Sequence, residues 1–492
     1  MRPVRILTIV LFSIVSISLT VRAEEQKTRP KTKPNLVYIL ADDLGLGDPG
    51  CYNPDSKIPT PAMDRLARDG MQFSDAHTPA SVCTPTRYGV LTGRYSWRTR
   101  LKKWVLRGDD PALIEPGRLT IASMLKQHGY KTAAIGKWHL GFQSPNPKDK
   151  KKRKIDWSKP LKPGPVTVGF DTFFGIATSA SPPFAFLEDD HLVGKLTGQA
   201  ERTEYRRKGG TGFHQAGPIV PGFKHEDALP MFGEKAVEFI ESQTPDQPFF
   251  LYLALNAPHT PWVPKQEFQG RSKAGYYGDY VVAADAVVKQ VLDAIDRKKL
   301  AENTIVILTS DNGSHWLPSD IEKWKHNANL DCRGQKADIH EGGHRVPFIV
   351  RWPGHVRKNS TSDALICLTD LTATMAHIVG HDLPENAAED SFDITPVLLE
   401  EKGAKGRDTI VHHSGDGMFS IRQGNWKLIE GLGSGGFTQP RTIEPKPGGP
   451  QGQLYNLAKD PAEKVNLYQK HPEIVARLHK LLQQYKKTGR SR

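Results

Sequence analysis

The amino-acid sequence predicts an α/β fold: a large mixed, mostly parallel sheet sandwiched by helices, followed by a small C-terminal antiparallel sheet with one helix. Three observations point there. Apolar runs suited to strands buried on both faces recur before Asp408, helix patterns separate them, and beyond Asp408 short strand candidates follow one another between turn signals.

The first strand is "NLVYILADD", an apolar run from Asn35 that closes on two carboxylates, Asp42 and Asp43. Thr60-Pro61 supplies an N-cap and a first helical residue for a helix stopped at Gly70, and Thr120 opens another that stops at Gly129. Between them "CTPTRYGVLTGRY" leads from Cys83 into a small-residue helical stretch. "PFFLYLALNAPHTPW" is a strand ending near Asn256 and His259. The run from Tyr280 to Ile295 is an amphipathic helix, and "NTIVILTSDNG" is a strand ending at Asp311 and Asn312. In a parallel sheet the site lies off the carboxyl ends of the strands, where these polar residues fall. The C-terminal strands are "TIVHHS", "MFSIR", "WKLIE" and, after a Gly/Pro-rich loop from Gly431 to Gly452, "QLYNL"; a helix from Pro472 to Tyr485 closes the chain. This divides the protein into a leader (1–23), a main domain (24–405) and an α+β subdomain (406–492).

The leader "MRPVRILTIVLFSIVSISLTVRA" has basic residues at Arg2 and Arg5, an apolar core from Ile6 to Leu19 and a small-residue cleavage site, the grammar of a secretory signal peptide. Its apolar run is shorter than the ~20 residues a bilayer span needs. The chain is therefore read as exported, periplasmic or secreted, with no membrane span after signal cleavage. Losing Arg2, Arg5 and Arg22 lowers the formal charge of +13 by three, and the remainder stays basic. That balance suits anionic substrates; export and the lack of any nucleic-acid motif argue against nucleic acid. Four cysteines, at 51, 83, 332 and 367, are too few for a disulfide scaffold, and a chemical task for Cys83 leaves at most one pair among the other three.

An Asp-Asp pair at one strand end and an Asp-Asn pair at another can converge hard oxygen ligands on one divalent cation, and Ca²⁺ or Mg²⁺ fits that donor set better than zinc. Taken alone, either pair is also an ordinary turn or cap. Cys83 alone is as readily a small buried apolar residue, and nothing around it carries a cysteine-protease signature. Its neighbours Thr84, Pro85, Thr86 and Arg87 complete a C-x-P-x-R pattern followed by "GRY".

With that pattern the chain resembles the formylglycine-dependent sulfatases, the arylsulfatase type of the alkaline-phosphatase superfamily. The resemblance spans nearly all of the mature chain: "LADDLGLGD" (40–48), "CTPTRYGVLTGRY" (83–95), "IGKWHLG" (135–141), "APHTPW" (257–262), "TSDNGS" (309–314), "GQKADIHEGGHRVP" (334–347) and "LYNLAKDPAEKVNL" (454–467). It implies an alkaline-phosphatase-like main domain and hydrolysis of a sulfate monoester to an alcohol and inorganic sulfate. Cys83 would be converted by a formylglycine-generating maturation enzyme to 3-oxoalanine (formylglycine), whose hydrated aldehyde is the nucleophile. A serine that attacked a sulfate ester would remain sulfated, whereas a sulfated gem-diol can expel sulfate through its second hydroxyl.

By motif position the resemblance implies one Ca²⁺ held by Asp42, Asp43, Asp311 and Asn312 and facing residue 83. Arg87 and Lys137 would hold the diol and His139 would take the proton that triggers its collapse. His259 and Lys336 would contact the sulfuryl group, with His259 the acid for the leaving oxygen. The segment from Trp316 to Asp331 matches no substrate class; His315 and Trp316, at its start, are candidate substrate contacts that can equally be packing residues. "SASPPFAFLEDDHLVG" (179–194) is a second candidate rim. Two other readings share these residues: a phosphodiesterase or phosphonate monoester hydrolase of the same superfamily, and an inactive polyanion-binding relative using the basic loop from Lys148 to Lys154.

Overall fold

The structure is a computed structural model that describes residues 33–143, 155–203 and 214–492. The leader and the basic loop from Lys148 to Lys154 lie outside the described residues.

A ten-stranded sheet forms the centre, in the order Ser360–Ser362, Met71–Phe73, Phe348–Arg351, Thr304–Ser310, Asn35–Asp42, Phe249–Pro258, Lys131–Lys137, Thr172–Ile176, Leu187–Glu188, His191–Leu192. The five strands from Thr304–Ser310 to Thr172–Ile176 run parallel; antiparallel pairing is confined to the flanks. The central strands are buried on both faces because their alternate residues serve two cores. Leu36, Tyr38 and Leu40 pack into one, beneath the helices Cys83–Thr92, Ile121–Gln127 and Leu371–Val379. Val37, Ile39 and Ala41 pack into the other, beneath Pro61–Arg68, His225–Glu241 and Gly275–Arg297. The expected strands and helices all form, and the mostly parallel sheet with helices on both faces is the predicted fold.

Some causes differ from the sequence reading. Thr60 makes no side-chain cap; the first amides of Pro61–Arg68 are instead taken by Asp285, whose carboxylate accepts from Ala62 (3.1 Å) and Met63 (2.8 Å) out of the neighbouring helix. Strand Lys131–Lys137 is rich in small residues and packs closely against strand Phe249–Pro258. At Gly136, φ is 112° and a Cβ would stand 1.9 Å from the Ala254 carbonyl oxygen, so only glycine fits.

The C-terminal strands Thr409–His413, Phe419–Gln423, Trp426–Ile429 and Gln453–Asn456 make the predicted antiparallel sheet. Helix Pro472–Thr488 closes over it with Leu478 and Leu482. This subdomain is joined to the site: the Ser81 amide donates to the His413 carbonyl two residues before Cys83. All four cysteines are free thiols.

Candidate active site

Each of the five parallel strands delivers a polar group from its carboxyl end to one place. Asn35–Asp42 brings Asp42 and Asp43, Thr304–Ser310 leads into Asp311 and Asn312, Phe249–Pro258 into His259, Lys131–Lys137 ends on Lys137 two residues before His139, and Thr172–Ile176 leads to Ser179. Parallel strands with short exits converge their ends on one edge, which is why segments remote in sequence meet here.

Cys83 is the first residue of helix Cys83–Thr92, after Val82 in an extended conformation. The buried thiol lies within 4.8 Å of carboxylate oxygens of Asp42 and Asp311. Arg87 is one turn further on the same helix face. Its Nη2 and Nε donate to Asp311 Oδ2 at 2.7 and 2.9 Å, and its Nη1 donates to the Lys137 carbonyl at 2.9 Å. Lys137 Nζ lies 2.5 Å from Asp42 Oδ2, with Ser179 Oγ 3.5 Å from the same oxygen. Lys336 Nζ lies 2.6 Å from Asp43 Oδ1 and 2.8 Å from Oδ2, and His259 Nε2 lies 4.0 Å from Asp43 Oδ2. Asp43, His139 and Ala337 carry positive φ of 68°, 56° and 73°. Non-glycine residues seldom adopt that region, and the surrounding contacts hold these three in it.

The electrostatics follow from three buried carboxylates facing three buried cations. Burial alone would push Asp42 up, but Lys137, His259, Arg87 and Lys336 hold it well below the usual carboxylate range; Lys336 and His259 hold Asp43 low in the same way. Burial and the Asp42 charge push Asp311 up to about 7 against Arg87. Burial raises the Cys83 thiol, so as a thiol it stays protonated.

Burial, with Lys137 and Arg87, keeps His139 neutral, well below the ordinary imidazole value. Its Nε2–H donates to the Leu106 carbonyl at 2.8 Å, which leaves buried Nδ1 as a free acceptor. The neutral ring therefore keeps one nitrogen open to a proton or a donor. Burial and Lys336 bring His259 down to about 4, while its Nδ1–H donates to the Thr260 carbonyl at 2.5 Å.

The donor set fits a hard cation. Asp42 Oδ1 and Asn312 Oδ1 are buried without a hydrogen-bond partner, and the converging groups on these strand ends are carboxylates and an amide, with thiol and imidazole only at the margin. Buried oxygens without partners are costly unless something else meets them.

Asp42, Asp43, Cys83, Arg87, Lys137, His259, Asp311, Asn312 and Lys336 thus stand together, with His139 beside them. His315 is half-buried beside Ser314, whose carbonyl accepts the Lys336 amide, and its ring leans on Phe437 at 4.9 Å. Trp316 is a packing residue. It is 4 % exposed, meets Tyr277 at 4.5 Å, and donates from Nε1 to the His326 carbonyl. The segment that follows it buttresses the Asp43–Asp48 turn, where the Gly47 amide donates to the Ala328 carbonyl at 2.7 Å. Ser179 was reachable from sequence only as part of the 179–194 rim, since a serine just past a strand end carries no chemical signature of its own.

The sequence matches the family model described as Sulfatase over residues 34–381 and one described as N-sulphoglucosamine sulphohydrolase, C-terminal, over residues 335–488. It is 33 % identical to an N-acetylgalactosamine-6-O-sulfatase of Bacteroides thetaiotaomicron, covering 94 % of this chain and 95 % of the relative. It is 31 % identical to human arylsulfatase A over 88 % of this chain and 83 % of that one. A solved structure from work on the metabolism of multiple glycosaminoglycans by Bacteroides thetaiotaomicron superposes with a TM-score of 0.81 at 33 % identity, covering 92 % of this chain and 99 % of that chain.

Proposed function

The chain belongs to the sulfatase family and hydrolyses sulfate esters, and we propose that it does so on a sulfated carbohydrate, with formylglycine at position 83 and one Ca²⁺. The observation that supports the mechanism is the placing of Cys83, at a helix start, among four hard-oxygen residues and three cations.

Asp42, Asp43, Asp311 and Asn312 would hold the ion, using among other atoms the two unpartnered oxygens. Bound there, Ca²⁺ would offset the carboxylates and draw negative charge from the sulfate oxygens. Cys83, once oxidised and hydrated, supplies the attacking hydroxyl and a second one through which sulfate leaves. The other roles belong to residues of this chain. Arg87 fixes the helix start against Asp311 and the Lys137 carbonyl. Lys137 and Lys336 present ammonium groups to an anion. Free Nδ1 of His139 accepts the proton released as the diol collapses. His259 is neutral at pH 7 as it stands, so it serves as acid only when an anionic sulfate beside it raises its proton affinity.

The carbohydrate reading is supported by the N-acetylgalactosamine-6-O-sulfatase relative, matched over nearly its whole length, and by the basic charge balance. Export to a periplasm or the exterior is supported by the leader grammar, and maturation requires a formylglycine-generating enzyme there or before export. We assign residues 24–405 to the catalytic domain and 406–492 to the C-terminal subdomain. Peptide mass spectrometry on the tryptic fragment Asp69 to Arg87, from protein expressed with a formylglycine-generating enzyme, tests the mechanism. An aldehyde at position 83 with aryl sulfate turnover supports it; turnover by a protein that is wholly thiol at this position refutes it.

A further inference from the structure

Three aromatic rings from three separate segments meet beside Lys336. Trp104 stacks on Phe437 with centroids 5.6 Å apart and 30° between planes, and Phe437 meets His315 at 4.9 Å. All three residues are half-buried rather than buried. Their backbones are tied to the catalytic residues. The Trp104 amide donates to the Gly415 carbonyl at 2.7 Å and the Gly415 amide to the Ala337 carbonyl at 2.8 Å, one residue from Lys336. Two residues after Trp104, the Leu106 carbonyl accepts His139. Gly436, before Phe437, presses against Ala337 so closely that a Cβ would stand 2.3 Å from its carbonyl carbon. His315 follows Ser314, which accepts the Lys336 amide.

Trp104 is also held in a conformation that bulky residues avoid, at φ 57°. Asp43, His139 and Ala337, at the site itself, are other non-glycine residues with positive φ. Strain kept in place by surrounding contacts tends to mark function. The fold makes room for the indole: a Cβ on Gly415 would stand 2.9 Å from its ring. Trp316, by contrast, is turned inward and only 4 % exposed. Arg441 completes the surface, with its guanidinium carbon 5.4 Å from the Trp104 ring centroid and Nε donating to the Gly436 carbonyl at 2.8 Å.

We propose that Trp104 and Phe437, flanked by His315 and Arg441, form the platform on which the sugar bearing the sulfate ester stacks. The inference rests on the carbohydrate reading above. A pyranose presents an apolar C–H face to an aromatic plane and hydroxyl or carboxylate groups at its edge, which matches rings with a cation beside them. Backbone contacts at Ala337 and Ser314 join this surface to Lys336, so a stacked ring can direct its sulfate toward that ammonium. The C-terminal subdomain thereby contributes to substrate selection through Phe437 and Arg441, while the cleavage residues all come from the main domain.

The test uses the matured full-length enzyme with 4-nitrophenyl sulfate, N-acetylgalactosamine 6-sulfate, and chondroitin sulfate, heparin and carrageenan oligosaccharides. Trp104→Ala and Phe437→Ala are expected to raise KM for the best saccharide about tenfold or more with kcat within about threefold. Inhibition by inorganic sulfate, which fills only the inner pocket, should stay at wild-type strength, and Trp104→Phe should recover most of the loss. A saccharide KM within about twofold of wild type in both alanine variants overturns the platform while leaving the sulfatase reading intact. An enzyme that turns over the aryl sulfate but neither cleaves nor is inhibited by any saccharide overturns the carbohydrate reading and the platform with it. Should Trp104→Ala not fold, Phe437→Ala and Gly415→Ala, which displaces the indole, decide the matter.

Discussion

Arg87 grips Asp311 with two donors on one oxygen, Nη2 at 2.7 Å and Nε at 2.9 Å, across 224 residues of sequence and with both side chains wholly buried. The pair fastens the helix that starts at Cys83 to the strand end that carries Asn312. Replacing Arg87 by alanine strands a buried carboxylate, which typically costs about 3–5 kcal/mol. We expect Arg87→Ala to lose turnover and melt well below wild type. Arg87→Lys should fall between, because one ammonium cannot serve both Asp311 and the Lys137 carbonyl. Thermal melts with parallel aryl sulfate assays decide this; a wild-type melt for Arg87→Ala would show the pair to be dispensable.

Cys83→Ser keeps a small polar side chain at a buried helix start and leaves its packing nearly unchanged. Serine cannot offer the second hydroxyl, so turnover of 4-nitrophenyl sulfate should drop by about 10³-fold or more at an unchanged melting temperature. Residual activity above about one per cent of wild type would take the nucleophile role from this position.

Chelation offers a separate check on the oxygen cluster. The purified enzyme should carry one equivalent of calcium, lose it to a chelator together with stability and turnover, and regain all three on adding Ca²⁺. Asn312→Ala and Asp42→Asn should each reduce calcium content as measured by elemental mass spectrometry. Full occupancy in both variants would remove these two residues from the ligand set.

Acid should destabilise the fold well above the pH at which carboxylates protonate. Burial brings His413 down to about 4, and burial with Arg333 and Lys427 brings His340 down to about 3; His344 and His412 are also lowered well below the ordinary value. Unfolded histidines take a proton near pH 6.5 and the folded ones do not, so between these values the unfolded state binds more protons and stability falls with pH. The stabilisation is complete above pH 6.5 and lost through pH 4, about 3 kcal/mol for His413 alone. Urea titrations at pH 7.5, 5.5 and 4.5 measure it. Equal midpoints at 7.5 and 5.5 would contradict the buried neutral state.

Strands such as Asn35–Asp42 and Thr304–Ser310 were legible because a strand buried on both faces must be continuously apolar, and its polar residues can only gather at its end. Strand Lys131–Lys137 carried no such run: its small residues answer to neighbouring strands, with Gly136 set by the Ala254 carbonyl. Helix His225–Glu241 was hidden by Pro230 in its interior, a residue that normally ends a helix. His315 and Trp316 looked alike as neighbouring ring residues. Only the fold separated them, by turning one toward Phe437 at the rim and the other onto Tyr277 in the core.

By itself the sequence determined the fold class, the family resemblance and the residues able to do chemistry, because each is written locally: apolar period, capping and turn residues, and the C-x-P-x-R pattern at Cys83. Tertiary structure alone decided which groups pair and which oxygens stay free. It joined Lys336 to Asp43, Arg87 to Asp311 and Lys137 to Asp42, left Asp42 Oδ1 and Asn312 Oδ1 without partners, and brought Trp104 to Phe437. Those relations depend on where five parallel strands and a C-terminal loop end in space, and the free energy that fixes them is the burial of the whole sheet rather than any local preference.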